Sequence, residues 1–246
     1  NMWDTNVDVW HRRVEAQSSE EIFIASEIYH TPYNTLYLNE DTDIKELQKY
    51  PVLIYAHPVI MTGKRAALLK EYVANGGILI IGCRSGYKQE NGKCVMLPQP
   101  GLLQKITGSD VRDFTFNDIM EPVEEGETLA FYDNSYYAGK PAVIRKNTGK
   151  GYAIHFGSTF SRESMKVLLE YTGILEPFQA MLEAPQEVEV IQRVKGNKKY
   201  FFVLNYMGSE QKIVLKKQMR SLYDNVIANG EICMKPYETI VYEVLE

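Results

Sequence analysis

The stretch TGKRAALLKEYVANGGILIIGCRSG at 62–86 leaves this chain few ways to fold. Thr62 stands where a helix wants its N-cap, and Ala66, Leu69 and Val73 recur at helical spacing. Gly76-Gly77 supplies the stop. The apolar run Ile78-Leu79-Ile80-Ile81 then predicts a buried strand that ends in Gly82 and an Arg-Ser-Gly turn. Farther on, residues 142–145 and 152–156 flank Asn147-Thr148-Gly149-Lys150-Gly151, which predicts a hairpin.

The segments around this block extend the alternation. Ser18 and Glu21 have capping-box spacing, and Ile22, Ala25 and Tyr29 form a stripe, so a helix is expected over 18–30. A short strand over 35–38, helical turns over 43–48 and a buried strand over 52–56 follow. Strands alternating with helices predict an α/β fold with a doubly wound, mostly parallel sheet. Between 87 and 128 the pattern loosens into loops, a short helix over 102–106 and an alternating strand over 111–116. A last helix begins after Ser158 or Ser161, turns Met165, Leu168 and Leu169 inward and stops at Gly173. Residues 176–186, holding Pro177 and Pro185, read as a linker. Beyond it only strands are expected, over 188–194, 200–204, 212–215, 226–227, 232–234 and 239–244. The turns between them include Lys195-Gly196-Asn197 and Ala228-Asn229-Gly230. That rhythm predicts a small all-β antiparallel sandwich over 187–246.

A family resemblance runs through these blocks. The helix ending in Gly-Gly, the apolar strand, Arg84-Ser85-Gly86, then Tyr137-Ala138-Gly139-Lys140-Pro141-Ala142-Val143 and Gly149-Lys150-Gly151 come in order. Together they resemble the middle domain of glycoside hydrolase family 42 β-galactosidases. The resemblance implies a glutamine-amidotransferase-like, flavodoxin-like trimerisation domain over 1–175. KYFFVLNYM at 199–207 and the closing YETIVYEVLE are similar to the family's C-terminal β domain in position and strand pattern. Members carry both catalytic carboxylates on an N-terminal TIM barrel, which needs roughly 250 residues, and the whole chain has 246. The family's Asn-Glu-Pro signature is missing. Glu121-Pro122 follows Met120, Glu176-Pro177 follows Leu175, and Asn39-Glu40 precedes Asp41. The resemblance therefore implies the non-catalytic assembly portion of a bacterial β-galactosidase. Its partners would be two further copies of itself and the parent enzyme's barrel, with no catalytic residue, cofactor or metal ligand in this chain. Met2-Trp3-Asp4 resembles the end of a truncated first strand, and Asn1 a tag remnant.

The residues also bear on other chemistries. Cys83 sits where an amidotransferase-like hydrolase would place its nucleophile, but Gly82 adjoins it, whereas an elbow wants its small residues two positions away on each side. His155 lacks the Glu two residues on that would mark the base, because Gly157 stands there. Asn147–Gly151 has no Walker spacing and joins strands, so it is no phosphate loop. Glu121, Glu124, Glu125 and Glu127 read as a solvated acidic loop. Seventeen tyrosines leave a carbohydrate-binding module as a further alternative. Trp10, Arg84, Ser85, Tyr136 and Tyr137 are the candidates for a subunit contact, or for facing a neighbour's active-site mouth. A net charge of −5 argues against a nucleic-acid surface. No apolar run approaches the ~20 residues of a membrane span. Three cysteines without metal-ligand spacing fit a reducing cytoplasm.

Overall fold

The computed structural model describes residues 9–245, with side chains from residue 15 onward. The expectations placed on Met2, Trp3 and Asp4 lie outside it, as does the side chain of Trp10. The chain divides into two compact units. One is built from residues 36–161 with the chain up to Glu20, the other from 21–35 with 162–246.

In the first unit the 62–81 block folds as its residues dictate. The Thr62 hydroxyl accepts the Arg65 amide at 3.3 Å and opens helix α3, Gly63–Ala74. Ala66, Leu69 and Val73 are buried, joined by Tyr72, whose hydroxyl donates to the Tyr50 carbonyl at 3.0 Å. Before α3 come helices α1, Val9–Ile28, and α2, Ile44–Leu47, and strand β1, Val52–Tyr55. After it comes β2, Ile78–Ile81, parallel to β1 in the register Val52 to Ile78. The remaining elements are α4, Gln104–Thr107; the antiparallel pair β3, Ser109–Phe114, and β4, Asp118–Pro122; and β5, Glu127–Phe131. The predicted hairpin closes the unit as β6, Pro141–Thr148, and β7, Gly151–Phe156, around a tight turn with Gly149 at φ 63°. A core of Leu47, Leu69, Tyr72, Leu79, Ile81 and Leu103 fills the space between helices and sheet.

The doubly wound parallel sheet is not what these strands build. Sheet order is β1-β2-β7-β6-β5, with β1, β2 and β7 parallel and β6 antiparallel to both its neighbours, β7 and β5. Across the chain strand accounts for 37% and helix for 20%. The glutamine-amidotransferase-like, flavodoxin-like expectation therefore gives way to a mixed sheet. The reason lies in the connections. A doubly wound fold needs a helix between each pair of parallel strands, and here α3 supplies that between β1 and β2. The long segment from β2 to β7 goes largely into β3–β4 and the β5–β6 extension, and the strand expected over 35–38 is coil. Ser18, read as a helix cap, lies inside α1, fully buried.

The second unit holds α5, Arg162–Tyr171, with Met165, Leu168 and Leu169 buried as expected, and then strands only. These are β8, Leu182–Glu183; β9, Val188–Lys195; β10, Lys198–Asn205; β11, Gln211–Ser221; β12, Ile227–Met234; and β13, Thr239–Val244. They form one curled antiparallel sheet in the order β12-β11-β13-β10-β9, with β8 paired to β11, and not a two-sheet sandwich. The curl has a visible cause. Leu215 faces Gly230 and Met219 faces Ala228, so β11 carries extra residues at a bulge, and Gly230 takes φ 76° there. The supposed turn Ala228-Asn229-Gly230 is that irregularity inside β12. One face then closes on Phe201, Val203, Ile213, Leu215, Met219 and Met234.

Candidate functional site

The turn leaving β2 collects most of the polar side chains that the first unit buries. Arg84 sits at its apex with φ 61°, and Gly82 and Gly86 stand two residues to either side. A Cβ at Gly82 would overlap the Ala56 carbonyl and lie 2.7 Å from His57 Cε1 and 2.8 Å from Phe160 Cε2. The elbow spacing therefore belongs to Arg84 and not to Cys83. Ser85 is buried, its hydroxyl donating to the Gly82 carbonyl at 2.6 Å, and braces the turn from inside.

Cys83 is fully buried, and burial above all, with Asp118 second, pushes its thiol well above the ordinary range. Its Sγ lies 3.9 Å from His57 Nδ1, yet that nitrogen is already committed. It stands 2.7 Å from the Cys83 carbonyl oxygen, which can only accept, so Nδ1 carries the proton. His57 Nε2 then accepts from Ser18 Oγ at 2.7 Å, while Ser18 Oγ accepts the Phe160 amide at 3.1 Å. A histidine fixed as a donor toward Cys83 cannot take its proton. The arrangement braces the strand ends and does not activate a nucleophile.

Asp118, the first residue of β4 and also buried, accepts the Arg84 amide at 2.9 Å. The same oxygen lies 3.4 Å from Nε2 of fully buried His155 on β7. His155 Nδ1 contacts Ser109 Oγ at 2.8 Å, Ser109 contacts Thr107 Oγ1 at 2.8 Å, and Thr107 donates to the Leu103 carbonyl at 3.1 Å. Each hydroxyl has one proton, so the chain closes when Nδ1–H donates to Ser109 and Ser109 to Thr107. His155 therefore ties β7 to β3 and α4.

Outward from this layer the surface turns aromatic. The Arg84 guanidinium lies 3.8 Å from the centre of the Phe114 ring, and its Nη2 donates to the Thr115 carbonyl at 3.0 Å. Tyr136 donates to Asp113 Oδ2 at 3.2 Å, and Tyr137 accepts from Asn117 Nδ2 at 2.9 Å. The rings of Tyr132 and Tyr136 each meet Tyr137 edge-on, at 4.8 and 5.0 Å. Tyr136 and Tyr137 thus pack on each other, while Arg84 packs on Phe114 and Ser85 is buried in the turn. Sequence reasoning missed Phe114, Phe116, His57 and Asp118. The Gly-x-Arg-x-Gly spacing was the one available signal. A groove of about 200 Å³ runs between Tyr136, Tyr137 and the Arg112–Glu121 ion pair. It is smaller than the ~300–1,000 Å³ usual for small-molecule sites, which gives the carbohydrate-module alternative little footing. Glu121 lies within β4 and Glu127 starts β5, so the acidic loop is shorter than expected. Glu124 pairs with Lys146 at 3.3 Å. Among the described residues no cluster of His, Cys, Asp and Glu could hold a metal ion, and no helix is long and apolar enough to cross a membrane.

Residues 33–117 and 112–176 match the β-galactosidase trimerisation domain, and 187–243 the β-galactosidase C-terminal domain. The chain belongs to the glycoside hydrolase family 42 β-galactosidases. Beta-galactosidase BgaB of Geobacillus sp. (strain Y412MC61) is 30% identical over 203 residues, 74% of this chain and 30% of that protein. Beta-galactosidase BgaA of Planococcus sp. (strain 'SOS Orange') is 26% identical, over 92% of this chain and 38% of its own length. The chain thus spans about a third of the length of these relatives. Among solved structures, the β-galactosidase from Bacillus circulans sp. alkalophilus superposes with a TM-score of 0.79 at 20% identity, covering 94% of this chain and 37% of that one. A catalytic mutant of Gan42B, a family 42 β-galactosidase from G. stearothermophilus, gives 0.80 at 21% identity, covering 93% and 36%. At that identity the likeness speaks for the fold.

Proposed function

We propose that this chain is the assembly portion of a homotrimeric bacterial β-galactosidase whose full-length form hydrolyses terminal β-D-galactosides. The observation that carries the reading is the order of the two family matches. A trimerisation domain is followed directly by a C-terminal domain, in a chain about a third as long as relatives named β-galactosidase. The buried strand-end network is consistent with a structural part. Its histidines are spent on bracing, and its thiol is inaccessible and held neutral. A closed ring of three requires a heterologous contact, each copy offering two different patches. A stable contact of this kind buries more than about 1,000 Å². The three free thiols, Cys83, Cys94 and Cys233, support a reducing, cytoplasmic setting.

Light scattering on the purified chain at micromolar concentration tests the assembly. The expected mass is three times 28.2 kDa. A clean monomer up to high micromolar concentration would overturn the reading.

A further inference from the structure

We propose that Asn91-Gly92 is a site of spontaneous covalent modification, where the Asn91 side chain closes on its own backbone and becomes aspartate and isoaspartate. The reaction needs no partner but water. The Gly92 nitrogen attacks the Asn91 Cγ carbon, and a C–N bond forms as the carboxamide C–N bond breaks. The Gly92 amide proton leaves with the amino group as ammonia. Water then opens the cyclic imide at either carbonyl, which gives aspartate or isoaspartate with no change of oxidation state. A glycine in the second place favours the first step because it has no Cβ to crowd the approach.

The sequence offers three such pairs, Asn75-Gly76, Asn91-Gly92 and Asn229-Gly230. All three asparagines are exposed, so water reaches each, and the backbone decides between them. Asn75 caps the end of α3. Its amide donates to the Glu71 carbonyl at 3.0 Å, the Gly76 amide to that of Val73 at 2.9 Å, and the Lys150 amide to that of Ala74 at 3.0 Å. Asn229 lies inside β12 between Ala228, paired with Met219, and Gly230, paired with Leu215. Ring closure at either place twists the backbone out of a helix end or a ladder. Asn91 instead stands at the tip of the short loop between the bridged residues Lys88 and Cys94. There the Gly92 amide donates to the Gln89 carbonyl at 2.9 Å, a bond local to the turn. An exposed turn opens at far lower cost than a helix end or a ladder. The turn also prepares the carbon under attack. The Lys93 amide donates to Asn91 Oδ1 at 3.0 Å, which folds the carboxamide back along the Gly92 peptide. The same donor draws electron density from Cγ and supports the charge that develops on Oδ1.

Peptide mapping of the 246-residue chain after long incubation at mildly alkaline pH tests this. Cleavage after Lys88 and Lys93 isolates residues 89–93. That peptide should convert to its aspartate and isoaspartate forms at least about tenfold faster than the peptides holding Asn75 and Asn229. In urea, where no backbone is held, the three rates should converge. Ion exchange should show an acidic isoform that grows in step with the conversion and is lost in Asn91→Gln. Native rates at Asn75 or Asn229 that match the rate at Asn91 would overturn the proposal. So would an Asn91 that stays intact while the unfolded chain reacts, or a ranking that persists unchanged in urea, which would trace the selection to sequence and not to the turn.

Discussion

A methyl group at position 82 would be driven into the Ala56 carbonyl and against His57 and Phe160, two of them parts of the buried bracing network. None of these can swing aside without breaking the Ser18–His57–Cys83 chain of hydrogen bonds. Gly82→Ala should therefore cost about 1–3 kcal/mol, the usual penalty of overpacking. Gly63→Ala, with nothing within 4 Å of the added carbon, should be neutral or slightly stabilising. Thermal melts of the two variants decide this, and equal shifts would refute the steric account. The same burial governs Cys83. Alkylation at neutral pH followed by mass spectrometry should modify exposed Cys94 and Cys233 while Cys83 stays unlabelled until the protein unfolds. Fast labelling of native Cys83, lost in Cys83→Ser, would restore the case for a nucleophile.

At the scale of elements, α3 owes its first turn to Thr62, and Thr62→Ala should lower stability by about 1 kcal/mol. A variant indistinguishable from wild type in urea would show the cap to be idle. The second unit carries two carboxylates of opposite behaviour, one on β13 and one on α1. Glu243 is held below its usual range by Lys198 at 2.6 Å and Arg220 at 3.2 Å. Its contribution is present above the unfolded carboxylate range and is lost as pH falls. Glu27 is pushed up by burial and by its hydrogen-bonded neighbour Glu189, so its contribution is fullest in acid and is lost as pH rises. Glu243→Gln should therefore destabilise at pH 7 and matter progressively less as pH falls below the ordinary carboxylate range, whereas Glu27→Gln should gain on wild type as pH rises past about 4.5. Melting curves across that range check both signs. The elements legible in the sequence were those whose signals are local and complete. The 62–81 block has cap, stripe, stop and apolar run, and the β6–β7 hairpin has its glycine turn. Strand direction is not local, since β6 reads the same parallel or antiparallel, and so the sheet was misjudged. Ser18 had the spacing of a cap, but its partners, His57 and Phe160, are far away in sequence. In the site, Gly-x-Arg-x-Gly was readable, but the stacking of Arg84 on Phe114 depends on where the β3–β4 pair lands.

For the whole molecule the sharpest expectation concerns catalysis. Retaining glycoside hydrolysis needs two carboxyl groups about 5–5.5 Å apart, with a sugar ring between them and one of the pair tuned upward as the acid. Glu27 and Glu189 come closest to that description, being coupled carboxyls of which Glu27 is raised. They hydrogen-bond one another, and the Tyr206 hydroxyl occupies Glu189 at 2.5 Å, so no glycosidic oxygen fits between them. Asp118 is buried, accepting the Arg84 amide and lying against His155. Glu121 and Glu124 are spent on exposed ion pairs with Arg112 and Lys146. None of the carboxylates named above offers that geometry within one chain. The purified chain incubated with nitrophenyl β-galactoside should release nitrophenol at the buffer rate, and Glu27→Gln and Asp118→Asn should leave that rate unchanged. A turnover above about 1 s⁻¹, the low end of ordinary enzyme values, that survived removal of host β-galactosidase and fell in either variant would mean that this chain holds an active site of its own.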